Sequence, residues 1–196
     1  MPGAGNQYIA DSVILELSQA SHDCVLVMWS GLQRIDLIVD DLAKKSNIEQ
    51  PIADINYYPV GDYFASSGYL SVIKSGNEFT RGLRSLLEML KLQSFLQNKK
   101  QPYYFMSYIN YWNSADDLIN RNFGIYKYPK LKELAAELDF SRFIFAENND
   151  CLYEVCSQLN SLEKDNFHPS TPGVDHWMCN YVYPRLKSDK FINYGE

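Results

Sequence analysis

Asp23-Cys24-Val25-Leu26-Val27-Met28-Trp29 is a continuous apolar run of strand length that follows a polar break and is rich in β-formers. A strand apolar on both faces is one buried between two layers, the pattern of a parallel strand covered by helices. The segments around it keep that rhythm. Gln7 to Ser18 places Ile9, Val13 and Leu17 on one helical face with Ala10 and Ile14 beside them, and Asn6 stands where an N-cap belongs. Downstream, a long helical pattern opens at Asn77 or Glu78 and runs to Asn98, with Phe79, Leu83, Leu86, Leu87 and Leu90 as its apolar face. Pro102 to Ile109 then reads as another strand. Alternating helices and strands predict an α/β domain with a mostly parallel sheet flanked by helices.

The remaining segments carry weaker patterns. Ile35, Ile38, Val39 and Leu42 have helical spacing, which predicts a helix over Arg34 to Lys45. Residues 46–76 are irregular, punctuated by Pro51, Pro59, Gly61, Gly68 and Gly76, and read as an insertion or lid over the sheet edge, or as a surface excursion without a role. A short helix is expected from Pro129 to Leu138, a short strand from Phe140 to Phe145 and a helical turn or two from Cys151 to Leu159. With no internal repeat and no low-complexity linker, residues 1–196 are read as one domain.

Charge and composition narrow the function classes. The net charge is −6 and the lysines and arginines are scattered, so no basic stripe stands ready to neutralise phosphates, and nucleic acid is not an expected partner. No apolar run approaches the roughly 18 to 20 residues of a membrane span, and Met1 to Asn6 lacks the basic and apolar regions of a secretory signal. No membrane association is expected. The 15 tyrosines include a dense set at Tyr103, Tyr104, Tyr108, Tyr111, Tyr126 and Tyr128, rings that suit a glycan cleft, a protein interface or an ordinary core rim. Cys24, Cys151, Cys156 and Cys179 are spaced unlike any compact zinc motif, so neither a metal nor another cofactor is expected.

The most informative polar stretch is Asp165-Asn166-Phe167-His168-Pro169-Ser170-Thr171-Pro172-Gly173, which feeds a helix. Ser170 or Thr171 suits the N-cap and Pro172 the first turn, and Val174, Trp177, Met178, Tyr181 and Val182 recur as one apolar stripe. A carboxylate three residues before an imidazole can fix its tautomer and stabilise the imidazolium, half of a hydrolytic triad. The same pair can also simply close a turn.

Asp-x-x-His-Pro followed by Ser, a glycine and a closing helix resembles the last conserved block of the SGNH (GDSL-like) hydrolases. The resemblance implies a three-layer, flavodoxin-like fold, with Asp165 and His168 as two members of a catalytic triad. It implies oxyanion donors at Gly5 or Gly3, in the glycine-rich turn before the first helix, and at Gly31 and Gln33, where Gly31-Leu32-Gln33-Arg34 takes the place of the family's Gly-x-Asn-Asp block. Gln33 keeps an amide donor on a longer side chain. The family's Gly-Asp-Ser nucleophile block is not present in the sequence, as though the first strand were missing. Ser30 and Ser107, each after an apparent strand, are the internal candidates for nucleophile, Ser30 first. His176 and Asp175 stand behind His168 and Asp165.

Two readings follow. One is an SGNH-like serine ester hydrolase, such as a carbohydrate deacetylase, or its remnant, acting on an ester or glycan. The other is a non-catalytic descendant that binds a glycan, a protein partner or its own copies, similar to truncated SGNH-like proteins of bacteriophages, where a virion component is one role. Localisation in the cytoplasm or a virion is expected on either.

Overall fold

A computed structural model of the chain describes residues 5–32, 35–39, 56–60, 78–112, 125–164 and 168–191. Helix α1 (Asn6–Gln19) leads into strand β1 (Val25–Trp29), which is followed by β2 (Ile35–Val39) and β3 (Asn56–Val60). The long helix α2 (Glu78–Asn98) returns the chain to β4 (Tyr103–Ser107). Then come the short helices α3 (Pro129–Ala135) and α4 (Leu152–Gln158), and a closing run of α5 (Thr171–Trp177), a π-helical turn (Met178–Val182) and α6 (Tyr183–Ser188).

β1 and β4 pair in parallel, Val25 facing Tyr103 and Trp29 facing Ser107. On the far side of β4, Phe143 adds a single parallel bridge to Phe105. All five residues of β4 are buried, as befits a strand with neighbours on both sides and both faces covered. Its alternation divides the core in two. Tyr103 and Phe105 join Val27, Trp29 and residues of α1, α2 and α3, among them Ala10, Leu86, Leu92 and Leu131. Tyr104 and Met106 join Leu152, Val155, Cys156, Trp177, Val182 and Leu186 from the C-terminal helices. The architecture is mixed α/β, a small parallel sheet with helices on each face.

Four expectations change. Residues 35–39 form a strand, not a helix, pairing antiparallel with β3 from Ile35 opposite Val60 to Val39 opposite Asn56. The run Ile-Asp-Leu-Ile-Val has the branched side chains of a strand, and a pairing partner decides the matter against its helical spacing. That partner lies inside the expected insertion, whose other residues are outside those described. In α2, Leu87 is exposed, and the buried stripe is Gly82, Ser85, Leu86, Met89, Leu92, Gln93 and Leu96. Ser85 and Gln93 enter it because both are hydrogen-bonded, Ser85 Oγ donating to the Leu32 carbonyl (3.3 Å) and Gln93 Nε2 to that of Glu137 (3.0 Å). Phe140–Arg142 is a 3-10 turn in place of a strand, and beyond it only a single bridge at Phe143 reaches β4, the Ile144 N–H donating to the Phe105 carbonyl at 2.8 Å.

The closing helix departs from a 3.6-residue stripe for a visible reason. Its buried residues are Gly173, Trp177, Val182 and Leu186. The π turn inserts one extra residue between Trp177 and Val182, so both face the core while Val174 stays exposed.

Candidate functional site

Side chains with chemistry gather at the carboxyl end of the β1–β4 pair, the edge where open α/β sheets place ligands. α1 begins there with Gly5 as N-cap, so Asn6 is the first helical residue and its side chain caps nothing on its own helix. It crosses instead to Ser30, directly after β1. Asn6 Oδ1 accepts from the Ser30 N–H (2.9 Å) and from Ser30 Oγ (3.1 Å), and Nδ2 donates to the Ser30 carbonyl (3.4 Å). The Tyr111 hydroxyl donates to the same carbonyl at 2.9 Å. Burial pushes the Tyr111 phenol far above its ordinary range, so it acts there as a neutral donor. At the end of β4, Ser107 is fully buried and receives the Trp112 indole N–H at 3.4 Å.

The loop carrying Tyr111 and Trp112 is pinned by Glu154 on the first turn of α4. Its carboxylate accepts from the Asn110 N–H (3.0 Å) and the Cys151 N–H (3.1 Å). Burial pushes the Glu154 carboxyl up, a shift that those backbone donors oppose. Glu154 thus joins the α4 N-terminus to the end of the sheet.

His168 belongs to a second construction. Leu162 and Pro169 form an antiparallel bridge, the Glu163 N–H donates to the His168 carbonyl (2.7 Å), and the Ser170 N–H donates to the Ser161 carbonyl (2.9 Å). Ser170 is the N-cap of α5, its Oγ donating to the Ser161 carbonyl (2.8 Å) and accepting from the Gly173 N–H (3.4 Å). A Cβ on Gly173 would lie 2.7 Å from both Cys156 Sγ and the Ser161 carbonyl oxygen, so only glycine lets α5 approach α4 this closely. This frame presents the His168 ring at an exposed position.

The structure therefore brings Gly5, Asn6, Ser30, Ser107, Tyr111 and Trp112 to one end of the sheet. Gly31 lies beside them, with open space where a side chain would be. Ser30 Oγ gives its hydrogen bond to Asn6, not to His168. Asp165, Gly3 and Gln33 lie outside the described residues. Asp175 is exposed and His176 half-buried on α5. Among the described residues, no three His, Cys, Asp or Glu side chains are grouped to hold a metal ion, and no helix is long and apolar enough to cross a membrane. Cys151 and Cys156 are buried and Cys179 exposed; burial raises the Cys156 thiol to about 11.

A model of a family of unknown function, DUF6071, matches residues 18–194. The chain belongs to DUF6071. No curated protein and no solved structure matches it. The DUF6071 match takes in Ser30, Ser107, Glu154 and His168 and leaves Gly5 and Asn6 outside. Reading the sequence missed Asn6 and Glu154 as site residues of this DUF6071 chain. Glu154 had a local signal, the acid three residues after a helix-starting Cys151, whereas Asn6 looked like a cap because its long-range partner is 24 residues away.

Proposed function

We propose that the chain is an SGNH-derived α/β domain, three-layered and flavodoxin-like, that serves as a non-catalytic binding or assembly subunit. The fold part of this reading draws on the Asp-x-x-His-Pro block ahead of the closing helix and on a parallel pair with helices on each face. One observation carries the functional part. The serine best placed for nucleophilic chemistry, Ser30, spends its hydroxyl proton on the neutral amide of Asn6, which is no base. Ser107, the other candidate, is sealed from solvent. Both serines then act as structural groups that close the sheet end.

The test is hydrolysis of p-nitrophenyl acetate and acetylated glycans by the wild type and His168→Ala. This reading expects no turnover above buffer in either, together with glycan or protein association that His168→Ala leaves intact. Turnover abolished by His168→Ala would replace it with the second reading, an ester hydrolase with Asp165 orienting His168 as general base. That alternative is favoured by the exposed imidazole of His168, whose backbone carbonyl is held by the Glu163 N–H beside the Leu162–Pro169 bridge. A bacteriophage virion component is the assembly role that the sequence resemblance suggests.

A further inference from the structure

We draw no further inference here: the strongest candidate, the partly exposed aromatic patch where Trp112, Phe140 and Phe145 meet beside β4, carries nothing because nothing in the structure shows what covers it.

Discussion

The Asn6 side-chain amide meets Ser30 as the peptide group of a neighbouring strand would, accepting from its N–H at 2.9 Å and donating to its carbonyl at 3.4 Å. The first residue of a helix thereby finishes the edge of a sheet. It also explains why Asn6, a polar residue, is only 2% exposed.

Asn6→Ala should destabilise the fold by about 1 to 3 kcal/mol, since it leaves the Ser30 N–H without its acceptor in a half-buried place. Asn6→Asp keeps an acceptor, loses the Nδ2 donor and turns a carboxylate toward the Ser30 carbonyl, so it should not restore wild-type stability. Urea denaturation of the three proteins checks this. An alanine variant as stable as wild type would mean that the amide is dispensable.

Gly173→Ala should cost about 1 to 3 kcal/mol through overpacking, because the new methyl would lie 2.7 Å from Cys156 Sγ and from the Ser161 carbonyl oxygen. The two contacts can be separated. Cys156→Ala removes the sulfur and leaves the backbone oxygen, so in the double variant it should relieve only part of the Gly173→Ala penalty, measured as a non-additive cycle of melting free energies. Full relief would assign the close approach to the sulfur alone.

What the sequence made legible tracks how local the deciding physics is. β1, α2 and β4 each declare themselves in an uninterrupted run or a long period, and Ser170 is a cap its own neighbours define. Ile35 to Val39 fits both a helical and an extended period, and its resolution came from pairing with Asn56 to Val60, which local spacing does not encode. The buried face of α2 was displaced because Ser85 and Gln93 satisfy their polar groups on Leu32, Glu137 and Asp139, partners 44 to 53 residues away. At the candidate site, Ser30 was readable as a residue at the end of a strand. Its bond to Asn6 was not, and that bond decides what the hydroxyl can do.

Glu154 gives the fold a pH dependence of definite sign. Burial raises its folded-state carboxyl above the ordinary carboxylate range, so folding favours the protonated form. Stability from this group is therefore full below the unfolded pKa and is lost as pH rises through the raised folded one. Glu154→Gln removes that titration while keeping one acceptor for the Asn110 or Cys151 N–H. Denaturation at a series of pH values rising from below 4.5 should show the wild type losing stability relative to Glu154→Gln, with the difference levelling once the carboxyl is fully ionised. The opposite slope would mean that the two backbone N–H donors outweigh the desolvation of the carboxylate, and that Glu154 ties the end of the sheet to α4 more strongly as an anion than as an acid.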